Sequence, residues 1–248
     1  MTISIIVPVL NEAATIREFL KHLRASAPNV EIIVVDGGSK DGTVDLCRRL
    51  ADQVIEHSQG RGRQMNAGAR YARGEIVWFL HADSRITANA LAEMETTLRD
   101  SRIVGGCFGL QLVPSRWIYR ARNIIANRCV DLFGVALGDR GLFCRRETFF
   151  AVGGYADQPL LEDADFYRKL HRVGRVRQLP IKIQSSARRY ETLGPIRTVF
   201  FYLVIMTLYV VGAPMPTLQK MVDWFFSRQT MRHQIGPFPE LSCRPSRI

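Results

Sequence analysis

Glu31-Ile32-Ile33-Val34-Val35-Asp36-Gly37-Gly38-Ser39-Lys40-Asp41-Gly42-Thr43 decides the fold class. Four consecutive β-branched apolar residues between two acids form a strand buried on both faces, because a half-buried strand would alternate. The run ends at Asp36 in a Gly-Gly-Ser turn, and Thr43 is placed to cap a helix over Val44–Ala51. Two more runs repeat the pattern. Ile3–Val9 leads into Asn11-Glu12, and Ile76–Leu80 leads into His81-Ala82-Asp83. Ala13–Ala27 sets Ile16, Phe19, Leu20 and Leu23 on one helical face and stops at Pro28-Asn29. A further helix is predicted from about Ala88 to Arg99. Strand–helix–strand alternation predicts an α/β fold with an open, Rossmann-like, mostly parallel sheet.

After residue 100 the alternation loosens. Gly105-Gly106, Gly138, Gly141 and Gly153-Gly154 punctuate short apolar pieces, which predicts a mixed, partly antiparallel second half. A helix over Glu162–Val173 is expected, with Phe166, Leu170 and Val173 on one face. No linker rich in Pro, Gly or Ser interrupts the chain. The expected organisation is one domain over residues 1–195 and an apolar, basic appendage over 196–248.

Composition narrows the function classes. The 248 residues are 47% apolar and 23% charged, which excludes a disordered chain, a collagen-like repeat and a multi-span membrane protein. The net charge of +11 is uneven: residues 1–100 hold 12 basic and 13 acidic side chains, residues 101–248 hold 22 and 10. A field of that kind favours nucleotide phosphates, lipid headgroups or nucleic acid. Cys47, Cys107, Cys129, Cys144 and Cys243 are scattered and odd in number, which suits a reducing compartment. The chain opens on a strand, not on a leader, so a cytoplasmic protein is expected.

Open α/β sheets bind ligands at the carboxyl ends of their strands. Here those ends deliver Asn11-Glu12, Asp36-Gly37-Gly38-Ser39 and His81-Ala82-Asp83. Any one of these acids is explained as well by turn formation and helix capping as by function. All three at one edge favour a site. The stretch Gly60-Arg61-Gly62-Arg63-Gln64-Met65-Asn66-Ala67-Gly68 lies between them in sequence. Glycines admit close backbone approach and arginine forks pair with phosphate oxygens, so it reads as a diphosphate clamp. It follows no clear strand and is therefore not a dinucleotide fingerprint.

Taken in order, these elements resemble the family 2 inverting glycosyltransferases of the GT-A fold. The matching residues are Val7-Pro8-Val9-Leu10-Asn11-Glu12, Val34 to Thr43, Arg61 to Gly68, His81-Ala82-Asp83 in place of Asp-x-Asp, Arg145-Arg146 leading to Val152-Gly153-Gly154-Tyr155, and Glu162-Asp163. The resemblance covers roughly residues 3–190, and an ordered series of motifs is far more specific than any one of them. Gly-Arg-Gly-x-Gln-Met-Asn, Gly138-Asp139 and Ala187-Arg188-Arg189-Tyr190 further resemble a bacterial subfamily that includes carotenoid-acid glucosyltransferases.

The resemblance implies roles. Pro8, Asn11 and Glu12 would line the nucleotide pocket, and Asp36 would accept a hydrogen bond from uracil. Arg61, Arg63 and Asn66 would contact the donor. Asp83 matches the last acid of Asp-x-Asp, which holds Mg²⁺ or Mn²⁺ against the diphosphate. His81 replaces the first acid, so either Asp83 alone holds the metal or the site leans toward Mn²⁺. Asp163 would be the base that takes the acceptor's proton, tuned by Glu162. Acids in a helix's first turn also stabilise its dipole, which is the competing explanation for the pair. Arg140, Arg145, Arg146, Arg188 and Arg189 are candidates for phosphate or acceptor contacts. Arg188-Arg189-Tyr190 lacks the Gln and Trp of processive members, so a single transfer is expected.

Thr198–Gln219 carries no charge, and Val199–Ala213 is almost wholly apolar. Fifteen helical residues span about 22 Å, short of the roughly 30 Å bilayer core. With flanking arginines and Trp224, Phe225 and Phe226, the segment reads either as an interfacial helix on an anionic cytoplasmic leaflet or as a buried or dimer-forming helix. Residues after Pro237 read as a flexible tail. Expected partners are thus a nucleotide sugar, a lipid-like or small acceptor and an anionic membrane surface, without nucleic acid. Two rivals remain at this point. A nucleotidyltransferase would open with a glycine-rich, Arg/Lys-containing loop that Pro8 to Glu12 lacks. A basic nucleic-acid or membrane module leaves Asp36, Asp83 and Asp163 without a role.

Overall fold

The structure is a computed structural model that describes residues 1–230, apart from a few side chains there, among them that of Arg189. The chain forms two compact units, Met1–Ile196 and the segment from Arg197 onward.

The first unit runs β1 (Ile3–Val9), α1 (Ile16–Ser26), β2 (Glu31–Asp36), α2 (Thr43–Arg48), β3 (Gln53–Glu56), α3 (Arg61–Tyr71), β4 (Ile76–Phe79), β5 (Ser84–Arg85) and α4 (Asn89–Leu98). It continues through β6 (Ile103–Val113), α5 (Trp117–Phe133), a 3-10 turn at Gly138–Arg140, β7 (Phe143–Arg145), α6 (Arg146–Ala151), α7 (Glu162–Val173), β8 (Arg175–Ser186) and α8 (Arg188–Leu193). The strands make one sheet in the order β3-β2-β1-β4-β7-β6-β8-β5. β3, β2, β1 and β4 are parallel, whereas β7 pairs antiparallel with both β4 and β6. The parallel first half and the mixed second half are both as expected.

Alternation along the strands builds two cores. Ile5, Val7, Ile32 and Val34 face one way, onto Phe19 and Leu20 of α1 and Met94 and Leu98 of α4. Ile6, Ile33 and Val35 face the other, onto Met65 and Ala69 of α3, Phe149 of α6 and Phe166 and Leu170 of α7. Pro8 cannot donate to a ladder, and the pairing of β1 with β4 has already ended at Ile6 and Phe79 where Pro8 stands.

Three sequence expectations need correction. The Gly60–Gly68 stretch, read as a diphosphate clamp, enters helix α3 at Arg61. Its glycines serve packing: a Cβ on Gly68 would stand 2.5 Å from Ile6, and one on Gly62 would stand 2.8 Å from the Ala156 carbonyl oxygen. Gly105 and Gly106 lie inside β6, where they let β7 approach. Val173, expected on the buried face of α7, is 54% exposed. Helix α2 is capped by Gly42 at φ 84°, with Thr43 already helical.

In the second unit, α9 (Pro195–Val210) begins at its very edge and α10 (Met215–Thr230) follows. The apolar run stops where Pro214 forbids its continuation, and Gly212 turns the chain at φ 86°. Phe201 and Phe225 stack at 3.8 Å, and the Arg197 guanidinium lies 5.0 Å over the Phe225 ring. No described helix is long and apolar enough to cross a membrane. The tail expected after Pro237 lies outside the described residues.

Candidate active site

The carboxyl ends of β1, β2 and β4 open on one edge of the sheet, and the antiparallel β7 begins there. That puts the Gly138–Arg140 turn beside the polar strand ends. The first two ends are stapled together. Asn11 N–H donates to Ser39 Oγ at 2.8 Å, and Asn11 Oδ1 accepts from Lys40 N–H at 2.9 Å. Glu12 N–H donates to Thr43 Oγ1 at 2.8 Å. Asn11 takes φ 54° to do so, a conformation Asn tolerates through local hydrogen bonding. Asn11 and Glu12 therefore shape the rim.

Asp36 is buried. Its Oδ2 accepts from the N–H groups of Gly38 and Ser39, each at 2.8 Å, while Oδ1 has no hydrogen-bond partner. A buried acceptor left open at a ligand edge fits the base-recognition role expected of it.

His81 and Asp83 occupy a tight turn after β4, closed by Ser84 N–H on the His81 carbonyl at 3.0 Å. The turn leaves His81 half-buried and Asp83 exposed at the sheet edge. No three His, Cys, Asp or Glu side chains among the described residues converge as a metal cage. Mg²⁺ and Mn²⁺ bound with a diphosphate need only one or two protein carboxylates, the rest of the shell being phosphate and water oxygens. The donor set fits such a shared site, with Asp83 as the protein ligand.

Helix α3 ties its polar side chains into the fold. Arg61 Nε sits 2.8 Å from Glu162 Oε1, and Arg63 Nε sits 2.7 Å from Asp157 Oδ1. Asn66 spans the Tyr155 peptide: Nδ2 donates to its carbonyl and Oδ1 accepts its N–H, both at 2.9 Å. Asn66 is thus a backbone clamp, with one N–H of its amide not used in it. Gln64, which the sequence reading did not single out, is buried and donates to the carbonyls of Val9 and Val35 at 2.9 and 2.8 Å. The helix is a strut between the strand ends and the loop that carries the acids.

Asp163 stands in the first turn of α7, fully enclosed. Leu161 at φ 58° turns the chain into the helix. The Gly138 N–H donates to the carboxylate, and Oδ1 has no hydrogen-bond partner. Burial first, then the neighbouring Glu162 charge, push the Asp163 pKa up to about 7, against the opposing pull of Arg61 and the Gly138 N–H. Behind the turn, Arg122 of α5 lies 3.5 Å from Asp139. The Tyr155 hydroxyl, buried near both acids, has its pKa held well above the phenol range. Gly138 and Tyr155 were named by the sequence only as parts of motifs. Nothing local marks Gly138, since its role is contact with a residue 25 positions away.

The arginines expected on phosphate separate into two groups. Arg140 is buried and donates to Asn127 Oδ1 at 2.6 Å and Gln178 Oε1 at 3.2 Å, so it braces the turn. Arg145 likewise donates to the Leu98 and Ile103 carbonyls. Arg188 is exposed on α8, and the Arg189 side chain lies outside the described residues.

A family model for glycosyl transferase family 2 matches residues 4–155. The chain belongs to this family. A PGL/p-HBAD biosynthesis glycosyltransferase of Mycobacterium tuberculosis is 32% identical over 176 residues, 66% of this chain and 67% of that one. An undecaprenyl-phosphate 4-deoxy-4-formamido-L-arabinose transferase of Pseudomonas syringae is 25% identical over 158 residues, 58% of this chain and 46% of that one. Among solved structures, a mannosyltransferase from Pyrobaculum calidifontis in complex with GDP-Man and Mn²⁺ superposes with TM-score 0.65 at 19% identity, covering 94% of this chain and 76% of that one. Glucosyl-3-phosphoglycerate synthase from Mycobacterium tuberculosis, in complex with Mn²⁺, UDP and glucosyl-3-phosphoglycerate, gives 0.61 at 19% identity, covering 86% and 81%. The fold is the α/β GT-A fold expected from sequence. As a family 2 glycosyltransferase, the protein has no need of the nucleotidyltransferase or non-catalytic readings.

Proposed function

We propose that this glycosyltransferase moves one sugar, with inversion, from a nucleotide-diphosphate sugar to a hydroxyl or carboxyl of a lipid-like or small acceptor. The observation that carries the reading is Asp163: an enclosed carboxylate with one oxygen open and a pKa near 7, beside the edge where the polar strand ends meet. Asp36 would hold the nucleoside base, with Pro8, Asn11 and Glu12 forming the pocket rim. UDP is the expected nucleotide. Asp83, with His81 beside it, would hold Mg²⁺ or Mn²⁺, which when bound neutralises charge on the leaving diphosphate.

Asp163 accepts the proton of the acceptor O–H as that oxygen bonds to the sugar C1 and the C1–O bond to the diphosphate breaks. Attack opposite the leaving group inverts the anomeric centre. Glu162, held by Arg61, keeps negative charge next to Asp163 and so favours proton uptake. The mycobacterial and undecaprenyl-phosphate relatives support a lipid-like acceptor, and the carotenoid-acid likeness rests on the sequence motifs alone. Thr198–Gln219 of the second unit is our candidate contact with an anionic, cytoplasmic leaflet.

A panel of nucleotide sugars with Mg²⁺ or Mn²⁺, scored by release of free nucleotide diphosphate, tests the proposal. Release with one donor, dependent on metal and on Asp163, supports it. Failure of every donor to bind or turn over in the presence of lipid and small acceptors would overturn it.

A further inference from the structure

Helix α5 buries polar side chains and exposes large apolar ones. Its buried side holds Tyr119, Arg122, Asn123 and the core residue Val130, with the half-buried Asn127 nearby. Three of them have polar partners: Tyr119 donates to Glu191 at 2.7 Å, Arg122 pairs with Asp139, and Asn127 accepts from Arg140. The outward side holds Trp117, Ile124, Ile125 and Leu132, exposed by 69%, 59%, 46% and 74%. These positions fall within one third of the helix circumference, at the spacing of a single face. Scattered exposed apolar residues are ordinary, but a contiguous face of four large ones marks an interaction surface.

The same face carries Arg120 and Arg128, both exposed, and the helix as a whole has three arginines to one acid, Asp131. This combination chooses among occupants. A second copy of the face would bring arginine against arginine in a desolvated contact, which is costly. A neutral apolar peptide would leave the guanidinium groups without counter-charge. An anionic lipid surface answers both features: acyl chains accept the apolar side chains, headgroup phosphates pair with the arginines, and a tryptophan suits the boundary between them.

The geometry points to α5 as a docking surface for anionic lipid that sets the acceptor side of the site against a bilayer. The inner face supplies the link to chemistry. Arg122 meets Asp139 and Arg140 meets Asn127, so α5 is bonded directly to the turn whose Gly138 N–H holds Asp163. A bilayer seated on the outer face lies one helix diameter, about 10 Å, from that turn. The inference rests on the lipid-like acceptor proposed above, and it names which part of the catalytic unit meets the lipid.

The quenching and partition measurements use the full chain without donor, so that they read docking alone. The Trp224→Phe variant leaves only Trp78, buried against the sheet, and Trp117 as emitters. Vesicles of phosphatidylcholine and phosphatidylglycerol carrying brominated acyl chains should quench its emission, and pure phosphatidylcholine vesicles should not. Adding Trp117→Phe should abolish the quenching. In the wild-type background, Ile124→Ser with Leu132→Ser, or Arg120→Glu with Arg128→Glu, should weaken vesicle partition by roughly tenfold or more. Turnover on a soluble acceptor should stay unchanged. Vesicle-bound protein with unquenched Trp117 would overturn the assignment. So would a dimer that the Ile124 and Leu132 changes dissociate, which would identify a second copy as the occupant. Loss of all transfer in unaltered protein, with quenching retained, would instead strike at the catalytic reading and leave the docking surface standing.

Discussion

A Cβ placed on Gly138 would stand 2.7 Å from the Cγ atom of Asp163, inside the space its carboxylate occupies. The same glycine donates its backbone N–H to that carboxylate. One residue therefore both makes room for the proposed base and fixes its direction. The turn is itself anchored through Arg122 on Asp139 and Asn127 on Arg140. The base is held by a chain of contacts running from α5 to α7.

Gly138→Ala should consequently displace the carboxylate. Misplacement of a reacting group by about 1 Å costs on the order of 10²-fold in rate. Saturated turnover should fall by roughly that factor while calorimetric affinity for the nucleotide diphosphate stays within about twofold. Unchanged turnover would mean that Asp163 does not need this position.

Asp163→Asn keeps the shape and removes the base. Transfer to a hydroxyl acceptor should fall by roughly 10²–10⁴. A carboxyl acceptor arrives ionised and should lose much less, so the variant also reports on the acceptor. The same change should alter stability. With the folded pKa near 7 and an ordinary value of 3.8, the folded protein holds a proton that the unfolded chain has released between those values. Stability therefore falls as pH rises through that window. The Asn variant lacks this loss. Its Tm should exceed that of the wild type at pH 8 and approach it near pH 4; the opposite order would show that Asp163 is not buried as an acid.

Much of this was legible in the sequence because it is local. The β-branched runs declare the parallel strands, and the acids at their ends declare the edge. Asp163 was singled out through its neighbours in a motif. What escaped the reading depends on contacts across the fold. Arg61–Gly68 reads as a diphosphate clamp because glycine and arginine are adjacent in sequence; the packing of its glycines on Ile6 and Ala156 and the pairing of its arginines with Asp157 and Glu162 are set by distant residues. Helix α5 gave no helical signal of the usual kind, since polar Arg122 and Asn123 are buried with Val130 while Trp117, Ile124, Ile125 and Leu132 are exposed. Arg140 was read by its charge alone, whereas its burial and its bonds to Asn127 and Gln178 depend on the fold.

The Asn66 clamp predicts a structural cost. Asn66→Ala would leave the Tyr155 N–H and carbonyl without their partners. Losing such contacts costs about 1–3 kcal/mol, which a thermal melt would read as a lower Tm. Donor affinity should change little. A large loss of affinity at unchanged Tm would return Asn66 to the donor site.

Asp83→Ala should remove the protein's share of the metal site. Calorimetry of the nucleotide diphosphate with Mn²⁺ should show affinity falling to the level seen without metal, whereas metal-free binding should be unaffected. Equal Mn²⁺ enhancement in variant and wild type would remove Asp83 from the metal. His81→Asp restores a second carboxylate and should favour Mg²⁺ relative to Mn²⁺, since oxygen suits the harder ion.

The last expectation concerns pH. The free enzyme's base is read in kcat/KM, which should rise with pH and level off above about 7 as Asp163 ionises. Three charges face it: Glu162 and Asp139 raise its pKa and Arg61 lowers it, with the Gly138 N–H also lowering it. Arg61 lies 2.8 Å from Glu162, so Arg61→Gln removes the compensating charge and leaves Glu162 acting on Asp163 unopposed. The acidic limb should then move to higher pH. Glu162→Gln should move it to lower pH, because the like charge is gone while Arg61 remains. Opposite displacements from two partners of one ion pair are hard to produce by misfolding, which would lower activity at every pH alike. If both variants kept the wild-type limb, the titrating group would lie elsewhere and Asp163 would lose its assignment as the base.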